Sequence, residues 1–167
     1  MPKTSKIRNQ VGSREITSGT GAEQADIIDF QVICLPMENI NFGLDVREIR
    51  EIGRVSEILP GITGPDNLPR EVDYHGEIMP LFDLRLRLGL PHRPYDTENR
   101  IIITDAPGGP GAFVVDQVTE ILRLDRGFHN SPGEFSPVPQ EYISGRYCSE
   151  DTEILILDNC CLDWNRK

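Results

Sequence analysis

A chain of 167 residues, 38% apolar and 26% charged, has the material for one ordinary soluble domain, or for two small barrels sharing a core, and not for a multidomain enzyme. A net charge of −10 and a pI near 4.7 argue against nucleic acid as a partner, because duplex binding needs a basic footprint that displaces phosphate counterions. The same balance offers anionic lipid no polybasic face, and no apolar run exceeds four residues, so no segment spans a bilayer.

Residues 1–26 carry Lys3, Lys6, Arg8 and Arg14 among Ser, Thr and Gly, with only scattered Ile7, Val11 and Ile16. Too little apolar surface is available there to offset ordering entropy, so a disordered polar tail is expected. Order starts at Asp29-Phe30. Phe30 to Leu35 reads as a strand stopped by Pro36, and Met37-Glu38-Asn39 as a turn. Ile40, Phe42, Leu44 and Val46 then alternate with Asn41, Gly43 and Asp45, the pattern of a half-buried strand closing an antiparallel hairpin. Val46, Ile49 and Ile52 recur every third residue, which fits a helical turn or a twisted strand equally. Residues 60–76, with Pro60, Gly61, Gly64, Pro65 and Pro69, read as a long loop.

Ile78 to Phe82 is short and apolar, and Pro80 implies an edge or a bulge. Asp83 to Gly89 alternates like a strand, yet Asp at its start, Gly at its end and its Leu and Arg residues favour a short helix. Arg100 to Asp105 and Ala112 to Val118 are strands joined by the reversal at Ala106 to Gly111, and their consecutive apolar residues imply burial on both faces. Thr119 to Leu124 adds a strand, residues 125–141 a polar connection, and Ile143 to Cys148 with Ile154 to Leu157 a closing hairpin about Ser149 to Thr152. Nine or ten short strands with one or two helical turns argue for an all-β barrel or sandwich.

Chemistry leaves few marks. Cys34, Cys148, Cys160 and Cys161 lack CxxC spacing or histidines at ligand spacing, so neither a metal nor a disulfide is expected, and with a polar N-terminus the reading is a reduced cytoplasmic protein. His75, Glu77 and Asp83 lie close in sequence, but no HExxH, GxSxG or phosphate loop orients them, and His92 and His129 are isolated in polar stretches. Neither an enzyme nor a cofactor is indicated.

Four stretches occur in the order and spacing of one family. Phe42-Gly43-Leu44-Asp45-Val46-Arg47-Glu48-Ile49 is similar to the CheW family's aromatic-Gly-Ile-Asp segment with its following Val-x-Glu-Ile. Gly76 to Arg85 resembles the Gly-x-x-x-Pro-x-x-Asp-Leu-Arg signature, and Val114 to Leu122 resembles Val-Val-Asp-x-Val-x-x-Val-Leu. Glu141 to Gly145 and Leu155 to Leu157 resemble the closing strands, so the likeness runs from about residue 28 to 158.

The resemblance implies two intertwined five-stranded SH3-like barrels within residues 27–167, roughly 37–95 and 98–158, with terminal strands crossing over. It also implies an adaptor, monomeric in isolation, that couples the cytoplasmic tips of chemoreceptors at membrane arrays to the regulatory domain of a CheA-type histidine kinase. Carried over position by position, Gly43, Ile49 and Glu51 fall at the kinase-facing surface, and Ile102, Ala112 and Val118 near the receptor groove. Core packing accounts equally well for Ile102 and Val118, and close backbone approach for Gly43. One departure stands out. The family's Gly-Val-x-Asn-Leu-Arg is here Arg70-Glu71-Val72-Asp73-Tyr74-His75, so a histidine replaces an arginine whose bidentate contacts it cannot reproduce, and Arg70 and His75 mark a divergent partner loop. The alternative is a CheW-like barrel recruited as a peptide-binding module outside chemotaxis.

Overall fold

The computed structural model describes residues 30–106, 108–125, 128–129 and 138–165. The tail read over residues 1–26 and much of the 125–141 connection lie outside these.

The first hairpin joins β1 (Phe30–Met37) to β2 (Ile40–Asp45) through two residues with positive φ, Glu38 at 51° and Asn39 at 65°. Two left-handed residues make the type I′ turn whose twist matches the strands it connects. β1 does not stop at Pro36, which pairs with Asn41 inside the ladder. Its neighbour on that side of the backbone, Cys34, bonds to Thr119 and Glu120, where the outer partner strand begins. The proline nitrogen therefore faces past the end of that partner and no hydrogen bond is lost.

The three-residue period after Val46 resolves into a 3-10 turn, Val46–Glu48, followed by β3 (Ile49–Arg54). The segment read as a long loop holds more structure than its composition suggests. After α1 (Val55–Ile58) it makes a 3-10 turn at Pro65–Asn67 and then β4 (Glu71–Tyr74), in which only Val72 is buried. β5 (Glu77–Asp83) is not an edge: it pairs with β4 on one side and with β7 on the other, and Pro80 lies one residue before the β7 ladder begins at Leu81. α2 (Leu84–Arg87) is capped by the Asp83 carboxylate on the Leu86 amide, and Gly89 leaves it with φ 78°.

β6 (Arg100–Ala106) and β7 (Gly109–Val115) form the expected hairpin. β8 (Ile121–Leu124), the two-residue β9 (Phe128–His129), β10 (Ile143–Cys148) and β11 (Glu153–Leu157) complete the strands. His129 thus belongs to a strand that pairs with Arg146, not to an isolated loop. A last 3-10 turn covers Asn159–Leu162.

The fold is mainly β: two curled sheets with two four-residue helices. The first sheet runs β8-β1-β2-β11-β10-β9 and the second β3-β6-β7-β5-β4, with parallel pairs only at β2–β11 and β5–β7. The first takes its strands from both ends of the described chain and encloses the second in sequence, so a boundary near residues 95–98 falls inside the second sheet.

Strand alternation distributes side chains among three cores. On β1, Val32 and Cys34 point into the first barrel, while Ile33, Leu35 and Met37 point into a seam shared by both sheets. On β6, Ile101 and Ile103 fill the second barrel and Ile102 meets that seam, as Phe113 and Val115 do from β7. Consecutive apolar residues on these strands are thus accounted for: each face has its own core.

Candidate partner-binding surface

The edge of the second barrel is shaped by a bulge. Ile49 pairs with Thr104 and Glu51 with Ile103, which leaves Arg50 as the extra residue of β3. A bulge bends its strand and re-aims side chains. Arg50 reaches both Asp105 of β6 and Glu77 of β5, its Nε 3.2 Å from the first carboxylate and its Nη1 2.8 Å from the second. Glu51 accepts the phenolic proton of Tyr74 on β4, the opposite edge of the same sheet. The Glu51 carboxylate holds that phenol above its ordinary pKa. No backbone ladder joins β3 to β4, so these side chains close the barrel where main-chain pairing does not. Exposed ion pairs contribute little stability, and their effect here is to fix geometry. Two aliphatic residues on these strands stay open to solvent: Ile52 is 37% exposed and Ile78 66%.

Of the residues expected at the kinase-facing surface, Ile49 and Glu51 flank this bulge, Ile49 half-buried against the shared seam and Glu51 exposed. Gly43 lies elsewhere, buried in the middle of the first sheet. A Cβ there would stand 2.9 Å from Ile154 Cγ2 and 3.1 Å from both Ile156 Cδ1 and Val32 Cγ2. Its place is set by packing, and any influence on a partner passes through β2.

The residues expected at the receptor groove do not gather on one exposed face. Ile102 and Ala112 are wholly buried and face opposite sides of the second sheet, Ile102 in the shared seam and Ala112 inside the barrel. Val118 is half-buried against the seam, just beyond β7. Arg70 is exposed ahead of β4. His75 and Gly76, with φ of 53° and 86°, form the two-residue turn between β4 and β5, and the Asp73 carboxylate accepts the Gly76 amide at 2.9 Å. An exposed histidine at the tip of a left-handed turn suits partner contact, although turn geometry also constrains it.

His75, Glu77 and Asp83 do not converge. His75 is at the turn tip, Glu77 engages Arg50, and Asp83 is buried with its carboxylate 2.6 Å from the Tyr95 hydroxyl. His92 pairs with Asp66 at 3.1 Å on an exposed loop. Among the described residues no group of three or more His, Cys, Asp or Glu is arranged to hold a metal ion, and no helix is long and apolar enough to cross a membrane.

A feature that the sequence did not single out joins the two barrels. Arg85, the last residue of the Asp-Leu-Arg triplet, is buried, and it donates to Asp116 at 2.6 Å and to the Pro91 carbonyl at 2.9 Å while lying 3.3 Å from Glu38. Glu38 belongs to the β1–β2 turn of the first sheet, and Asp116 follows β7 of the second. Burial raises the Asp116 pKa, against the pull of Arg85 and Arg93. A cleft of about 410 Å³ opens beside this joint between Glu38–Asn39 and the loop carrying Arg93, Asp96 and Glu98. The sequence marked Arg85 and Asp116 only as members of two separate family-like stretches, Gly76 to Arg85 and Val114 to Leu122, and did not pair them.

The order of strands, the shared seam and the Asp-Leu-Arg joint can be set beside known proteins. The family model of the CheW-like domain matches residues 31–159. The chain belongs to the CheW-like domain family. Chemotaxis protein CheW of Klebsiella aerogenes is 22% identical to it over 129 residues, which cover 77% of this chain and 78% of that protein. The crystal structure of the scaffolding protein TtCheW from Thermoanaerobacter tengcongensis superposes with a TM-score of 0.64 at 23% identity, covering 78% of this chain and 90% of that one. The two intertwined barrels of the CheW-like fold are therefore present.

Proposed function

We propose that this CheW-like protein is an adaptor that couples chemoreceptors to a CheA-type histidine kinase, in chemotaxis or a related motility pathway. It works in the cytoplasm, is recruited to membrane receptor arrays, and catalyses nothing itself. The observation that carries the reading is family membership over residues 31–159, joined to a side-chain-latched barrel edge that exposes Glu51 and Ile52 beside the half-buried Ile49. A scaffold needs such a firm, partly apolar rim more than it needs a pocket. The kinase regulatory domain takes that rim and the receptor tip takes the β6–β7 side around Ala112 and Val118. With Ile102 and Ala112 wholly buried, their substitution acts through the shape of that side and not by direct contact. Arg70 and the His75 turn read the partner of this particular pathway. Signal transfer is geometric: the adaptor holds a kinase domain where receptor movement biases its equilibrium.

Co-sedimentation tests this directly. Kinase mixed with vesicles bearing the cognate receptor pellets with them when the adaptor is present and stays in the supernatant without it. Equal pelleting in both cases defeats the reading.

A further inference from the structure

The end of β4 departs from the family pattern at two neighbouring positions, and both departures reach the latched edge of the second barrel. Where the pattern has Leu-Arg this chain has Tyr74-His75. A leucine has no donor, so the hydrogen bond from the Tyr74 hydroxyl to Glu51 Oε2 is open to this chain and not to one that keeps the pattern. The rings of Tyr74 and His75 meet edge to face, their centroids 4.2 Å apart and their planes at 64°. Tyr74 also packs against the core of the second barrel. A tyrosine has only two side-chain torsions, and a ring held on two sides fixes where its hydroxyl points.

The acids around this edge differ in what neutralises them. Glu77 and Asp105 converge on the bulge, and both are taken by the Arg50 guanidinium. Glu51 meets a neutral phenol instead, through one oxygen. Among the described residues no hydrogen bond reaches its Oε1, and the residue is exposed. Glu51 therefore keeps its charge for an outside partner while the phenol limits its rotation. A side chain oriented before association loses less freedom on binding, and a cation is the group that an ionised carboxylate binds most strongly.

We propose that Tyr74, backed by His75, is a positioning residue that holds the Glu51 carboxylate towards a basic side chain, arginine or lysine, of the kinase regulatory domain. This deepens the adaptor reading, on which the identity of the partner rests. Selectivity follows from the arrangement. A kinase domain without a cation opposite Glu51 leaves a carboxylate desolvated and unpaired, and an adaptor with leucine at position 74 leaves that carboxylate free to swing.

The test uses the full chain, its variants Tyr74→Phe, Glu51→Gln and Tyr74→Phe/Glu51→Gln, and the purified regulatory domain of the cognate kinase. Binding is titrated at several salt concentrations, with urea unfolding of each variant alongside. Glutamine removes the charge, yet its carbonyl still accepts the phenol, so Glu51→Gln keeps the barrel closure and separates it from the contact. Tyr74→Phe weakens binding about three- to fivefold in the wild-type background and less than about 1.5-fold in the Glu51→Gln background, with an unchanged unfolding midpoint. Glu51→Gln weakens binding at least as much and flattens its salt dependence. His75→Asn, which tolerates the left-handed turn but lacks the ring stack, follows Tyr74→Phe by less.

A Tyr74→Phe loss of equal size in both backgrounds makes the hydroxyl a structural closure only and overturns the proposal. A Glu51→Gln variant that binds like the wild type overturns it as well. In both cases the kinase domain still binds and the adaptor reading stands. A wild-type chain that binds no regulatory domain at any salt concentration removes the kinase half of that reading, and the partner of Glu51 with it.

Discussion

Arg85 on α2 and Asp116 beyond β7, 2.6 Å apart, form a buried ion pair that Glu38 joins from the other sheet, so one guanidinium ties together two barrels that share no backbone ladder. Removing one member strands a buried charge, which costs far more than the intact pair contributes. Arg85→Met is expected to lose about 3–5 kcal/mol in urea unfolding, and the double variant Arg85→Met/Asp116→Leu to regain most of it. A single variant as stable as the wild type contradicts the joint.

The same pair has a pH signature. Burial lifts the Asp116 pKa above its ordinary 3.8, while Arg85 and Arg93 pull it back. The native state therefore holds this proton more tightly than the unfolded chain does. Its contribution favours folding at low pH and is lost as pH rises through the native pKa. Without Arg85 the opposing pull weakens and that pKa climbs further. The penalty of Arg85→Met should then shrink as pH falls from neutrality through the raised Asp116 pKa of the variant, read by denaturation at each pH. A penalty that stays constant or grows all the way down to the ordinary carboxylate range contradicts the assignment.

Gly43→Ala places a methyl group 2.9 Å from Ile154 Cγ2 at the centre of the first sheet. Overpacking of this kind costs about 1–3 kcal/mol, and Ile156→Val in the same chain, which removes the Cδ1 methyl 3.1 Å from the same position, should return part of it. Loss of kinase binding in Gly43 variants should track this destabilisation. A Gly43 variant with native stability and no binding would make the residue a direct contact after all.

Much of the fold could be read locally. Phe42 and Leu44 mark the core face of β2, Asp83 and Gly89 mark the ends of α2, and the Ala106–Gly111 reversal marks the β6–β7 hairpin. What escaped was set by partners distant in sequence. β4 was hidden because only Val72 of its four residues is buried. Pro36 looked like a strand end and Pro80 like the mark of an edge or a bulge, since only the register shows that their missing donors face the ends of neighbouring ladders. Gly43 could be placed in a strand, but the residues that forbid a side chain there, Ile154 and Ile156, come from the far end of the chain. For the candidate surface, Glu51 was reachable by resemblance. Its partner Tyr74 was not, because barrel closure brings β3 and β4 together and no spacing announces it.

Thiol chemistry checks the burial pattern independently. Burial, with Glu120 adding to it, pushes the Cys34 thiol up to about 11, and burial also raises that of Cys161. Cys148 and Cys160 are partly exposed. An aromatic disulfide reagent at neutral pH should modify only Cys148 and Cys160 rapidly in the native protein and all four thiols in denaturant. Rapid modification of Cys34 under native conditions would show that the first barrel opens far more readily than its packing allows.

The central claim is that the latched edge of the second barrel receives the kinase. Isotope-labelled protein titrated with the purified regulatory domain of its cognate kinase tests this most directly. Amide shifts should centre on Ile49, Glu51 and Ile52, extend to Tyr74 across the β3–β4 closure, reach Gly43 only weakly through β2, and saturate in the micromolar range, about 10⁻⁶ M. Shifts centred elsewhere, or none at large excess, would contradict kinase coupling through this surface.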